Sequence, residues 1–251
     1  MSPLPLPDWF FDLFEGLPQQ GPGDDESSRR ALRAIPGLPA RPRILDVGSG
    51  PGRQTFVLAR STSGLVTAVD SHVPFLLELR SRSARRRGAP RIRLVAGDMA
   101  NLPFPAGSFD LIWSEGSIYL MGLEEGLRAW RPLLRRGGHA AVSELTWLTD
   151  QRPADAVEFW NAEYPGMADV RENLRRARAA GYVVVDHFLL PPRSWWHGFY
   201  QPLQERIHER RRRWRDMPDA QALLRAVEQE IDLLRTHPHA YGYMFYVLRR
   251  K

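Results

Sequence analysis

The chain has 251 residues, of which 43% are hydrophobic and 25% charged, enough for one α/β domain of about 200 residues with appendages and too apolar for disorder throughout. Cysteine is absent, which removes disulfides, thiolate nucleophiles, cysteine–zinc sites and iron–sulfur clusters. The net charge is +6, with Lys251 the only lysine; such an excess of arginine is as readily a coding bias as a function, and it permits acidic partners without identifying one.

The first 40 residues are loop-rich, punctuated by Pro3, Pro5, Pro7, Pro18, Pro22, Pro36 and Pro39. They open without a basic leader, so no signal peptide is expected. No apolar run approaches the roughly 18–20 residues of a membrane-spanning helix, and a cytoplasmic protein is expected. Residues 8–17 carry Trp9, Phe10, Phe11 and Phe14 and read as a short amphipathic helix that packs on the body or closes a site. Residues 24–35 read as a helix, with Asp24, Asp25 and Glu26 in its first turn and Arg29, Arg30 and Arg33 later, the order the helix dipole favours.

From Arg43 short apolar strands alternate with amphipathic helices. Residues 43–47, 65–70, 91–96, 109–114 and 138–144 are the strand candidates, and residues 53–60, 73–86 and 123–135 the helices between them. Near-continuous apolar strands separated by helices imply a parallel sheet covered on both faces, joined by right-handed crossovers. After Glu144 the pattern changes. A Trp- and Pro-containing stretch at 147–167 precedes a helix over 168–180, a strand over 182–190, a mostly helical stretch over 201–237 and a last strand over 241–248. The expected fold is an α/β, doubly wound, Rossmann-like sheet of seven mostly parallel strands with an antiparallel terminal strand. A helical insertion at about 195–238 precedes the last strand. Residues 1–40 are expected to cover the site, and 41–251 to form the domain.

The most informative segment is Asp46-Val47-Gly48-Ser49-Gly50-Pro51-Gly52, at the end of the first strand. Alternate glycines let the backbone turn sharply and let a ligand approach it, and the following helix N-terminus offers free N–H groups. Asp70, at the end of the second strand, can accept both hydroxyls of a ribose. A nicotinamide dinucleotide would use the same features, but three details argue against it. Arg53 and Gln54 stand where the dinucleotide pattern has its third glycine. Asp46 precedes the loop, where a carboxylate disfavours a pyrophosphate and suits a cation. A further acid in Gly97-Asp98-Met99 follows the third strand, placed to take the exocyclic amine of an adenine.

In these motifs the chain resembles the class I S-adenosylmethionine-dependent methyltransferases. The resemblance rests also on Thr67-Ala68-Val69-Asp70, on Leu102-Pro103-Phe104 followed by Ser108-Phe109-Asp110-Leu111-Ile112, and on residues 133–138 leading into the fifth strand. The Leu-Pro-Phe and Phe-Asp-Leu-Ile elements are most similar to the ubiquinone/menaquinone-biosynthesis, small-molecule type. Gln20-Gly21-Pro22-Gly23, Trp113-Ser114-Glu115-Gly116-Ser117-Ile118-Tyr119 and Ser143-Glu144 resemble a bacterial subgroup of that type.

The resemblance implies S-adenosyl-L-methionine as cofactor, S-adenosyl-L-homocysteine as product and a small-molecule acceptor. It implies that Gly48, Ser49, Gly50 and Gly52 form the floor under the methionine part, with Asp46 near its amino group. Asp70 would hold the ribose, with Ser71, His72 and Phe75 beside the adenosine. Asp98 would bond the adenine amine, and Met99 would pack on the ring. Ser114 and Glu115 would line the methyl-transfer side, and Gln20 and Gly21 would fold over the cofactor.

Each remaining signal has a plainer reading. Glu115 is either a catalytic, substrate-facing group or a loop residue with a structural hydrogen bond. Tyr119, Glu144, Trp147, Trp160 and Tyr164 form a substrate pocket, or they pack and, for Glu144, face solvent. Trp195 and Trp196 belong to the same aromatic set. His187 and His197 lack metal-ligand spacing, and no metal site is expected. The arginines of 206–215 are interleaved with Glu205 and Glu209 and read as a solvated helix face in which Glu209 pairs with Arg213 at i+4. RNA binding is the other reading of that row, but the Asn/Asp-Pro-Pro-aromatic stretch of the amino-methylating nucleic-acid enzymes is replaced by Ser114-Glu115-Gly116-Ser117. An RNA methyltransferase and a non-catalytic S-adenosylmethionine-binding module therefore stand as alternatives, for a monomer or homodimer.

Overall fold

The computed structural model describes residues 7–85 and 91–251. Two short helices, α1 (Asp8–Phe14) and α2 (Asp25–Arg33), precede β1 (Arg43–Val47), α3 (Arg53–Ser61), β2 (Leu65–Asp70), α4 (Val73–Ala84) and β3 (Ile92–Ala96). The end of the expected 73–86 helix, at Arg86, lies outside the described residues. Next come β4 (Phe109–Glu115), α5 (Leu123–Trp130), β5 (Leu134–Trp147), α6 (Ala154–Glu163), β6 (Ala168–Asp169), α7 (Val170–Ala179) and β7 (Tyr182–Leu189). A helical turn, α8 (Arg193–Trp195), leads through a π-helical turn into α9 (Gln201–Arg213), α10 (Pro218–Thr236) and β8 (Tyr241–Arg250).

The sheet runs β3-β2-β1-β4-β5-β8-β7, with β6 pairing on β5 off this path. It is the expected doubly wound, mostly parallel Rossmann-like sheet. The two-residue β6 makes eight strands of the expected seven. Among the described residues, antiparallel pairing is confined to β8, which lies between β5 and β7. The helical insertion returns the chain so that β8 enters from the opposite end. Chain order reverses between β1 and β4, and in such sheets ligands bind at that switch, outside the carboxyl ends of the strands.

Side chains alternate across the sheet. Ile44, Leu111, Trp113, Leu145 and Phe245 share a core with α1, α2, α9 and α10. Leu45, Val47, Ile112, Val142 and Tyr246 share the other with residues of α5 and α7. Leu13, Leu17, Ala31 and Leu32 lie in the first of these cores, so the described part of the N-terminal segment is packed into the body.

Three expected elements differ. The 123–135 helix stops at Trp130 and gives way to a 3-10 turn at Arg131–Leu133, because Pro132 has no N–H to continue the i−4 ladder. β5 starts at Leu134 and ends at Trp147, longer at both ends than 138–144. The helix expected over 168–180 yields its first two residues to β6, and Asp169 caps it by accepting the Glu172 N–H at 2.8 Å.

Candidate functional site

The loop after β1 folds under the edge of the sheet. Gly48 and Ser49 donate to the Val69 carbonyl at 2.9 and 3.0 Å, and Gly48, Gly50 and Gly52 all have positive φ. Asp46, completely buried, accepts from Thr55 Oγ1 at 2.5 Å and from Gln54 Nε2 at 3.3 Å. Burial pushes its carboxyl up to about 7, against the lowering effect of those two hydrogen bonds. Asp46 thus fastens the first turn of α3 to the strand from beneath the loop.

Above the loop is a cavity of about 720 Å³, within the range of small-molecule sites. Gly48, Ser49, Gly50, Asp70, Ser71, Phe75, Asp98 and Met99 line it, together with Gln20 and Gly21 from the N-terminal segment and Glu115 and Tyr119 after β4. The Asp70 carboxylate accepts from Gly50 N at 2.8 Å and from His72 N at 2.9 Å. Burial raises its pKa and these hydrogen bonds oppose the rise. Asp98 is exposed and accepts from Ala100 N through Oδ1 at 2.9 Å. Its Oδ2 makes no hydrogen bond to another described residue. Two polar atoms in the wall are buried and unpartnered among the described residues: Ser49 Oγ and Gln20 Oε1. Buried polar groups are normally hydrogen-bonded, so these atoms mark where a polar ligand belongs.

Other expected site residues lie outside the wall. Gly52 is the N-cap residue of α3 and lies against Leu79. His72 lies behind Phe11, stacked on it at 3.8 Å between ring centroids. Ser114 is buried and shares a hydrogen bond of 2.7 Å with Ser117, which donates to the Val47 carbonyl. Trp147 and Trp160 pack edge-on against Tyr241 in the core. Tyr164 donates to Glu144, whose other oxygen is buried and unpartnered. Burial drives Glu144 up to about 8, opposed by the Tyr164 hydrogen bond and by Arg176. Glu144 is thus buried, and the solvated alternative does not hold. Tyr119 links this pair to the cavity, its ring 5.7 Å from that of Tyr164.

Sequence reasoning missed Arg53 and the wall it belongs to. Arg53 pairs with Glu115, and its other nitrogen donates to Ser28 Oγ at 3.2 Å. Glu115 also accepts from Ser28 Oγ at 2.6 Å and from Trp113 Nε1 at 2.8 Å. Both of its oxygens are engaged, by three donors in all, so the carboxylate is held in place as a partner of Arg53. The signal available was the Arg53 side chain standing where the dinucleotide pattern has a glycine. Phe10, Phe11 and Phe14 of α1 complete the apolar side of the cavity with Leu120 and Met121.

Residues 44–138 match the family model of the methyltransferase domain. A biotin biosynthesis bifunctional protein BioCD of Bordetella avium is 33% identical over 147 residues, 56% of this chain and 31% of that protein. A demethylmenaquinone methyltransferase of Mycolicibacterium gilvum is 33% identical over 129 residues, 51% of this chain and 53% of that one. The match thus spans about a third to a half of those relatives' lengths. Among solved structures, an S-adenosylmethionine-dependent methyltransferase from Thiobacillus denitrificans in complex with S-adenosyl-L-homocysteine superposes with a TM-score of 0.81. The alignment covers 99% of this chain and 100% of that one at 20% identity.

Proposed function

We propose that this chain, a class I S-adenosylmethionine-dependent methyltransferase of the quinone-biosynthesis type by sequence and fold, binds S-adenosyl-L-methionine in the cavity at the β1/β4 switch and methylates a small, mainly apolar acceptor. The observation that carries this is the pairing of orphaned polar atoms, Ser49 Oγ and Gln20 Oε1, with an acid-edged cavity directly on the glycine loop.

The residues present fit that cofactor. Gly48, Ser49 and Gly50 would lie under its methionine part, with Gln20 and Gly21 over it. Asp70 has lone pairs left after accepting two backbone N–H groups, enough for a ribose diol. Asp98, with Met99 and Phe75, would take the adenine. Asp46 acts through the loop, since Thr55 and Gln54 hold it below the surface. Its carboxyl is kept partly neutral by burial, and a nearby cation favours the ionised form.

When bound, the sulfonium supplies an already activated methyl group. The work left to the chain is to hold an acceptor in line and exclude water, which can contribute on the order of 7–11 kcal/mol in well-oriented cases. The apolar wall of Phe10, Phe14, Tyr119, Leu120 and Met121 suits an apolar acceptor body. Glu115 serves this arrangement as the anchor of Arg53 and not as a general base, given its three donors.

Thermal unfolding with S-adenosyl-L-homocysteine tests the reading. At 100 times its dissociation constant the ligand should stabilise the wild type by about 2.7 kcal/mol, a rise in Tm of about 5–10 °C for a chain of this size. Asp70→Ala should lose most of that rise. The absence of any rise in the wild type overturns the reading, and a full rise in the variant overturns the ribose assignment.

A further inference from the structure

We propose that the arginine row of α9 is a positioning device for the cofactor cavity, holding α1 in place so that its phenylalanines form the cavity wall. The inference rests on the reading of the cavity given above. Arg210 Nη2 donates to Asp12 Oδ1 at 2.9 Å, and Arg213 Nη1 to Asp12 Oδ2 at 3.2 Å. Arg206 Nη1 donates to the Glu15 carbonyl at 2.9 Å and the Asp12 carbonyl at 3.3 Å. The expected Glu209–Arg213 pair does not form. Arg213 turns to Asp12, and Glu209 lies 3.8 and 3.9 Å from Arg206 and Arg210. The row is therefore not a uniformly solvated face.

These contacts matter because α1 has seven residues, too few to hold a helix in water by themselves. Its last turn carries no basic residue, so its C-terminal carbonyls and dipole are met from α9, across the fold. Trp9 adds an edge-on contact with Trp214 at 6.0 Å. On its other side α1 presents Phe10, Phe11 and Phe14 to the cavity. Phe11 stacks on His72, and Glu15 meets His72 Nε2 at 2.6 Å. The His72 N–H in turn bonds Asp70. A continuous set of contacts thus runs from the α9 guanidiniums through α1 to the carboxylate on the cavity edge. Arg211 is engaged with Glu228 instead, and the exposed Arg212 makes none of these contacts.

The Asp12 and Arg213 side chains are partly exposed, so the clamp is open to screening by salt. Calorimetric titration with S-adenosyl-L-homocysteine at 0.05 and 0.5 M salt tests this. Wild type should bind more weakly at high salt. Asp12→Asn and Arg210→Gln should each raise Kd about 3- to 10-fold at low salt and flatten the salt response. Asp12→Glu should recover most of the affinity, and Arg212→Gln should behave as wild type. Wild-type Kd and salt response in both Asp12→Asn and Arg210→Gln overturn the proposal. So does a salt-independent wild type, which decides the matter even where a variant fails to fold. A wild type that binds no ligand at either salt overturns the cofactor reading itself and this inference with it.

Discussion

Gly48 shows how closely the loop is fitted. Its φ is +69°, a region that costs a residue with a Cβ about 1–2 kcal/mol. The added methyl would also fall on Ser117 Oγ and Cβ. Ser117 cannot simply turn away, because its hydroxyl is tied to Val47 and Ser114. Gly48→Ala should therefore lower stability by about 1–3 kcal/mol and weaken S-adenosyl-L-homocysteine binding at least tenfold, read by thermal unfolding and calorimetry on the same preparation. Gly97→Ala is the control for stability alone, since Gly97 also lines the cavity: its φ is not in the left-handed region, and its new methyl meets Val69 Cγ1 at an ordinary 3.6 Å. Equal losses of stability in both variants would mean that close packing at Gly48 is not what the loop needs.

At the scale of elements, Asp24 joins two segments far apart in sequence. It caps α2 by accepting from Glu26 N at 2.9 Å and Ser27 N at 2.8 Å, and it accepts from Ser194 Oγ in α8. Burial works to raise its pKa, but the hydrogen bonds from Ser194 and Ser27 prevail and hold it below its ordinary value. Asp24→Ala should cost about 1–3 kcal/mol, the cap plus a stranded hydroxyl on buried Ser194, and lower Tm by about 2–12 °C. Asp24→Asn should retain much of this, since its side-chain oxygen still caps. Indistinguishable melting of Asp24→Ala and wild type would remove the cap from the account.

The same scale explains what could be read in advance. β1 and β2 run over the expected residues because apolar residues make up most of each (Ile44, Leu45 and Val47; Leu65, Val66, Ala68 and Val69) and Pro42, Gly48, Gly64 and Ser71 bound them. The glycine loop was legible because its chemistry is local. α6 was not, because Ala156, Phe159 and Trp160 bury one side of only ten residues, too short a pattern to declare a period. Trp147 and Trp160 could as well have faced a ligand, and only the position of Tyr241 decides that they pack in the core. The Arg53–Glu115 pair joins residues 62 apart, and the Arg210–Asp12 pair residues 198 apart. A carboxylate's choice among many arginines is made by the tertiary fold, and here it overrode the i+4 partner.

Over the whole molecule, the pH dependence of stability follows from acids that the fold buries. Burial raises Asp46 to about 7, Glu144 to about 8 and Glu230 to about 7. Each keeps its proton in the folded state at pH values where the unfolded chain has released it. The folded state then binds more protons, and stability falls as pH rises from about 4 until it passes these folded-state values. His139 acts in the opposite sense. Burial, with Arg249 and Arg135, lowers its pKa, so it favours the folded state more as pH rises toward its ordinary value. The net expectation is a Tm that declines between pH 6.5 and 8, where His139 no longer contributes and the carboxyls still do. Glu144 can be isolated within that window. Tyr164 donates to one of its oxygens, and a glutamine oxygen would accept the same bond without holding a proton. Glu144→Gln should remove up to about 1.4 kcal/mol per pH unit of the decline, and its advantage over wild type should grow up to about pH 8 and then level off. Melting curves from pH 5 to 9 measure this directly, and parallel slopes for the two proteins would mean that Glu144 is already ionised in the folded state.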